Sequence, residues 1–255
     1  MSGVGFHVVD ETAVLTLQNE AKLNALTSEM LEVLEQRVRD VERDGSIRAL
    51  VLTGAGKKAF CCGADISAWG TLSPAEFARH WVRGGHRIFD RLARIGKPTI
   101  AAINGHAFGG GLELASCCDL RLVAPRATLA LPEAKVGIVP GWSGTQRLTR
   151  LFPEGAVKEM ALFGRRINAE RAVTLGYAVE VADDVLSRAL EIAAEQQGLS
   201  PRATEIAKQM IHAAVDEDKH AAVEALGSAA VAASADRDEG VAAFMDKRNP
   251  NFSGI

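Results

Sequence analysis

Two rhythms of apolar and polar residues run along this chain. Up to about residue 150, short apolar runs of strand length take turns with segments whose apolar residues recur every three to four positions. Phe6–Val9 and Ala13–Leu17 flank an Asp-Glu-Thr turn and predict a pair of short strands. Met30, Leu31, Leu34, Val38 and Val41 then share one face of a predicted helix, capped by Thr27 or Ser28 and running to about Asp44. The run Ala49–Thr53 reads as a buried strand stopped by Gly54-Ala55-Gly56. A loop through Cys61–Ser67 precedes a helix opened by Pro74 that carries Phe77, Trp81, Ile88, Phe89 and Leu92. Thr99–Ile103 is the next predicted strand, Gly110–Ser116 a helix and Leu120–Val123 another strand.

After about Thr145 the strand rhythm fades. Helical patterns cover Ala156–Phe163, Ala169–Leu175, Val185–Gln197, Pro201–Ala214 and Lys219–Ser234, and only Ala178–Val181 looks strand-like. The alternation predicts an α/β core of repeated strand and helix units with right-handed crossovers. A helical C-terminal layer follows, with no low-complexity linker to set it apart.

Composition narrows the function class. With 255 residues, 47% of them hydrophobic, the chain can bury one large core or a core with an appendage. A formal net charge of −3 gives no electrostatic reason to expect nucleic acid as a partner. No apolar run approaches the ~20 residues that span a bilayer. The opening MSGVGFHVVDE has neither a basic nor an apolar leader region, so a cytoplasmic location is expected. The four cysteines fall in two vicinal pairs, Cys61–Cys62 and Cys117–Cys118. That spacing fits small buried hydrophobes better than a disulfide framework or a zinc site, and nothing in the chain calls for a metal.

Candidate chemistry concentrates between Asn104 and Arg150. Gly109-Gly110-Gly111 opens the short predicted helix, where free N–H groups suit a developing oxyanion. Glu113 lies in the first turn among Leu112, Leu114 and Ala115, and Glu133 sits between Pro132 and Ala134. Carboxylates in apolar settings are costly unless paired or used. The glycine triplet also reads as a plain tight turn, and no G-x-G-x-x-G dinucleotide fingerprint is present. Gly141-Trp142-Ser143-Gly144 approaches a nucleophile elbow, but its second glycine comes one place early. The six histidines are expected at the surface or in loops rather than as metal ligands.

At these residues the chain resembles the enoyl-CoA hydratase/isomerase (crotonase) superfamily, within it the hydratase branch. The resemblance rests on ordered blocks: KLNAL at Lys22–Leu26, AFCCGADI at Ala59–Ile66, NGHAFGGGLELA at Asn104–Ala115 and LPEAKVGIVPGWSGTQRL at Leu131–Leu148. A further block, FMDKRNPNF at Phe244–Phe252, is similar to the family's C-terminal CoA-contacting segment. The resemblance implies a spiral of ββα units over residues 1–195 and a helical trimerisation region over 196–255, with a homotrimer or homohexamer as the assembly. It implies an acyl-CoA thioester as substrate, with coenzyme A part of the substrate and no separate cofactor. Backbone N–H groups of Ala64 and Gly110 are implied as the oxyanion hole, with Glu113 and Glu133 holding a water. Lys22, Leu23, Cys62, Ala64, Asp65, Ile66, Gly109, Gly110, Pro140, Gly141, Trp142 and Lys247 are implied as substrate-binding positions.

The chain also departs from the family pattern. Gln18-Asn19-Glu20 stands where Asn-Arg-Pro is usual, Ser67 where a lysine often follows GADI, and Ser143 where glycine is common. Trp69, Phe77 and Trp81 are expected to wall the acyl pocket. The leading expectation is reversible hydration of a trans-2-enoyl-CoA. A Δ3,Δ2-enoyl-CoA isomerase needs only one of the two glutamates and is the nearest rival. An RNA-binding member of the fold and a serine hydrolase built on Ser143 complete the alternatives.

Overall fold

The computed structural model describes residues 2–255. By contact density the chain forms two compact units, one ending at Thr204 and the other spanning Glu205–Ile255. The first unit opens with a hairpin of β1 (Gly3–Val9) and β2 (Thr12–Gln18), paired antiparallel from Gly3↔Gln18 to Val9↔Thr12. Helix α1 (Ser28–Arg43) buries Met30, Leu31, Leu34, Val38 and Val41, the face its periodicity predicts. Thr27 is its cap, the side chain accepting from the Met30 N–H. Strands β3 (Ala49–Gly54) and β4 (Ala59–Cys61) follow. The Pro74 helix has three parts: α2 (Pro74–Glu76), a π-helical stretch Phe77–Val82, and α3 (Arg83–Arg94).

From there the chain repeats one plan: β5 (Thr99–Ile103), β6 (His106–Phe108), α4 (Gly110–Ala115), then β7 (Leu120–Val123) and β8 (Thr128–Ala130). Helices α5 (Gly144–Leu151) and α6 (Glu154–Phe163) lead to β9 (Ile167–Asn168), α7 (Ala169–Thr174), β10 (Glu180–Val181) and α8 (Val185–Ala194). From β3 to β8, successive strands alternate between two sheets. The larger has the order β1-β2-β3-β5-β7-β10, parallel from β2 onward; the smaller has the order β4-β6-β8-β9, antiparallel only at β9. The chain therefore spirals, adding one strand to each sheet per turn.

At β3 the larger sheet is buried on both faces, which is why Ala49–Leu52 are apolar in succession rather than alternating. Leu50 and Leu52 point into the main core with α1 and α3, while Ala49 and Val51 meet Val185, Ala189 and Ala193 of α8 on the opposite face. The smaller sheet's strands were not expected from the sequence. Two or three residues each are too few to display a period, and β4 ends at Cys61, where a loop is predicted to start.

Helix α9 (Pro201–Ala214) carries the boundary between units; α10 (Lys219–Ala232) and α11 (Ala235–Asp246) belong to the second. The sequence does not predict helix α11 either, since only Ala243 of its residues is buried and no apolar stripe marks it. The C-terminal segment folds back on α11: Arg248 pairs with Glu239, and Asp236 accepts from the Ser253 and Gly254 N–H groups. Among the described residues, no helix is long and apolar enough to cross a membrane.

Candidate active site

Three adjacent parallel strands of the smaller sheet deliver the site from their C-terminal ends. Past β4 the chain enters Cys62-Gly63-Ala64, past β6 it enters Gly109 and α4, and past β8 it reaches Glu133. The three segments, far apart in sequence, thus meet at one edge of one sheet.

The Ala64 loop is held by the KLNAL block. Cys62 N–H donates to the Leu23 carbonyl at 3.0 Å, Leu26 N–H to Gly63 at 2.8 Å, and Asp65 N–H to Leu26 at 2.8 Å. Asn24 anchors that block in turn, its amide donating to the Ala55 and Ala59 carbonyls. This lacing occupies the neighbours of Ala64 and leaves the Ala64 N–H with no acceptor among the described residues. Gly110, first residue of α4, also has a free N–H, because no helical carbonyl precedes it. The two residues are close neighbours: a β-carbon added at Gly110 would lie 3.7 Å from the Ala64 nitrogen.

Glu113, 3% exposed, is fixed by two backbone donors. Its Oε1 accepts from Trp142 N–H at 2.8 Å and Gly144 N–H at 2.7 Å. Between those donors Ser143 adopts φ 85°, and this left-handed residue turns the flanking N–H groups onto one oxygen. Gly144 has to be glycine, since a β-carbon there would fall 2.7 Å from the same oxygen. Burial pushes the Glu113 carboxyl up to about 7, against the pull of the two N–H groups and of Arg147. The Arg147 charge is itself engaged by Asp90 at 2.6 Å.

Glu133 opens a 3-10 turn, Glu133–Val136, and is 8% exposed. Its Oε2 is buried without a hydrogen-bond partner among the described residues. Burial, with the charge of Glu113 adding to it, raises this carboxyl to about 7 as well. Gly109 (φ 51°) lets the acid approach, because a β-carbon there would meet Glu133 Oε1 at 2.7 Å. A buried acceptor with nothing bound to it, beside a second acid, is suited to a water or a substrate proton.

Both acids open into one cavity of about 330 Å³. Of the predicted positions, Cys62, Ala64, Ile66, Gly109, Gly110, Gly141 and Trp142 line it, as do Trp69, Phe77 and Trp81. Pro140 does not; it packs behind Gly144. Lys22 and Asp65 are tied to each other at 2.6 Å rather than facing the cavity, and Leu23 contributes its carbonyl to the Cys62 loop. Lys247 caps α11 in the second unit. Val136, Ile138 and Val139 also line the cavity and were not singled out from sequence; nothing distinguishes them there from ordinary core residues.

The remaining candidates have structural roles. Ser143 Oγ lies 3.5 Å from both ring nitrogens of His86, without the directed hydrogen bond that a serine nucleophile needs from its base. Cys61, Cys117 and Cys118 are buried and Cys62 is half-buried; none of the four is in a disulfide. Burial pushes Cys61 up to about 12 and Cys62 up to about 11, so both stay neutral. Among the described residues, no group of His, Cys, Asp and Glu is arranged to hold a metal.

Comparison with known proteins agrees with this architecture. The family model for enoyl-CoA hydratase/isomerase matches residues 9–254. The chain is 35% identical to the short-chain-enoyl-CoA hydratase of Clostridium acetobutylicum, over 93% of this chain and 92% of that protein. It is likewise 35% identical to the crotonyl-CoA hydratase of Syntrophomonas wolfei, over 95% of each. Among solved structures, DspI of Pseudomonas aeruginosa superposes with a TM-score of 0.82 at 35% identity, over 98% of this chain and 96% of that one. The enoyl-CoA hydratase of Bacillus anthracis superposes with a TM-score of 0.80 at 34% identity, over 99% of each. Family match, identity along nearly the whole chain and shared fold together establish that the chain is an enzyme-family member of the enoyl-CoA hydratase/isomerase (crotonase) superfamily, in its hydratase branch.

Proposed function

We propose that the protein catalyses reversible addition of water to a trans-2-enoyl-CoA, giving the 3-hydroxyacyl-CoA. The observation that carries this reading is the pair of buried glutamates, both raised to about 7, in one cavity with two free N–H groups. The thioester oxygen accepts from the Ala64 and Gly110 N–H groups. A water lies between the two acids. As its oxygen bonds to Cβ, one proton passes to Glu113, charge moves onto the thioester oxygen, and Glu133 delivers a proton to Cα.

The electrostatics favour that division of labour. Two carboxyls in one apolar cavity near pH 7 share one proton between them. Glu113 accepts two backbone N–H bonds, which stabilise its ionised form. Glu133 has an oxygen with no donor to stabilise a charge, so the shared proton belongs there. An oxyanion donor lost from such a site typically raises the barrier by ~2.7–4 kcal/mol. On the coenzyme side, Cys62, Ala64 and Ile66 are proposed to meet the adenine and pantetheine, with Lys22, Leu23 and Asp65 as outer contacts.

Purified protein is expected to bleach the enoyl-thioester absorbance of crotonyl-CoA, and Glu113→Gln and Glu133→Gln each to abolish that activity while retaining acyl-CoA binding. Turnover of a 3-enoyl-CoA with no bleaching of crotonyl-CoA would replace hydration by the isomerase reaction. Self-association through the second unit is also proposed, since Phe244, Met245, Ile211, Met210 and Phe252 are all exposed there. Light scattering on the purified chain is expected to give a trimer or hexamer mass, and a monomer mass would refute it.

A further inference from the structure

The cavity ends at an aromatic wall. Trp142 is 3% exposed and fixed on several sides. Its ring centroid lies 5.1 Å from those of both Trp81 and Phe89, and its Nε1–H donates to the Trp81 carbonyl at 3.3 Å. It also presses on Gly110, where a β-carbon would fall 2.9 Å from the indole, and on Gly85. Trp142 therefore forms a rigid floor under one oxyanion donor. Trp81 stands next to it, half-buried, in the π-helical stretch Phe77–Val82.

Behind this wall lies a second cavity of about 830 Å³ between α1 and α3. Leu31, Leu72 and Ile88 give it apolar surface, and Glu32, Arg39 and Arg91 are among the charged residues lining it. Among the described residues, Trp81 is the single one that lines both spaces. With about 330 Å³, the catalytic cavity is at the small end for a ligand site, and it has to take the thioester as well as the acyl group.

We infer that the Trp81 indole is a partition that limits this enzyme to short acyl groups, and that the space behind it is an acyl channel closed by one side chain. The inference rests on the acyl-CoA reading of the site. Truncating Trp81 keeps the carbonyl that holds Trp142, so the floor under the oxyanion donors stays while the side wall opens. A longer chain then passes over Leu31, Leu72 and Ile88 and buries its tail against them.

The test compares crotonyl-CoA with trans-2-octenoyl-CoA on the wild-type chain, Trp81→Ala, Trp81→Leu and Trp81→Phe. Wild type and Trp81→Phe are expected to prefer crotonyl-CoA. Each methylene newly buried is worth up to about fourfold in kcat/KM, so Trp81→Ala is expected to raise the octenoyl-to-crotonyl ratio roughly tenfold to a hundredfold. Trp81→Leu makes a smaller opening with apolar bulk retained, and gives the same comparison should the alanine variant not fold. Calorimetric binding of butyryl-CoA and octanoyl-CoA to the same proteins needs no turnover. If binding selectivity shifts on truncation but nothing is hydrated, the partition stands and the hydration reading fails. Equal use of both chain lengths by the wild type, or ratios unchanged by truncation in rate and in binding, would overturn the partition.

Discussion

Glu133→Gln should make the protein more stable at alkaline pH while removing its activity. Burial and the neighbouring Glu113 charge raise the Glu133 carboxyl from 4.5 to about 7. Below pH 4.5 the group is protonated whether the chain is folded or not, and it contributes nothing to the difference between the variants. As pH rises from 4.5 towards 7 the unfolded chain releases this proton and the folded one retains it, so the wild type loses stability across that window. Above pH 7 the full cost applies. At 1.36 kcal/mol per unit the shift corresponds to about 3 kcal/mol, reduced to about 1–3 kcal/mol by the partial exposure of the site and by the new amide's need for an acceptor. Glutamine has nearly the same shape and cannot ionise, so it escapes this cost. Nor does it forfeit a bond at the orphaned Oε2 position, which has no partner to lose. Melting temperatures measured from pH 4.5 to 8.5 should coincide at the acid end. They should separate by roughly 2–12 °C at the alkaline end, with the variant higher. A difference that does not change with pH, or a variant that is the less stable one at pH 8.5, would show that this carboxyl is not held above its ordinary range.

Other consequences follow from the same geometry. Because the two acids titrate together near 7, kcat/KM for hydration should trace a bell centred near pH 7, its limbs set by the pair; a flat profile from pH 5 to 9 would contradict the shared proton. Gly144→Ala places a β-carbon 2.7 Å from Glu113 Oε1 and should lower kcat on the order of a hundredfold by displacing the base, with acyl-CoA binding less affected. Rates within twofold of wild type would mean the carboxylate has room to move. Ser143→Gly removes a non-glycine residue at φ 85° and should raise stability by about 1 kcal/mol in thermal melts, with hydration retained. Loss of activity in that variant would give the hydroxyl a role that the site geometry does not require.

Much of this fold was legible before any coordinates. The face of α1, a cap at Thr27 or Ser28 (the structure takes Thr27), the buried run Ala49–Thr53 and the site of the Glu113 helix all follow from local physics. Apolar spacing, a capping oxygen and a glycine turn each act within a few residues. The smaller sheet was not legible, because β4, β6 and β8 span three residues each and owe their strand character to their neighbours. Yet those are the strands that deliver Ala64, Gly110 and Glu133 to one edge.

What the sequence determined by itself is the chemistry available: two glutamates in apolar surroundings, a glycine triplet, and blocks whose order points to one superfamily. What only the tertiary structure decided is how those groups act on each other. The Glu113 carboxyl is pinned by N–H groups 29 and 31 residues away, Glu133 keeps an unpartnered oxygen beside it, and Trp81 divides two cavities. Each of these depends on contacts between distant segments, and burial sets the proton affinity of both acids. A residue's neighbours along the chain carry no record of that burial, so it emerges only when the sheets and helices close around the site.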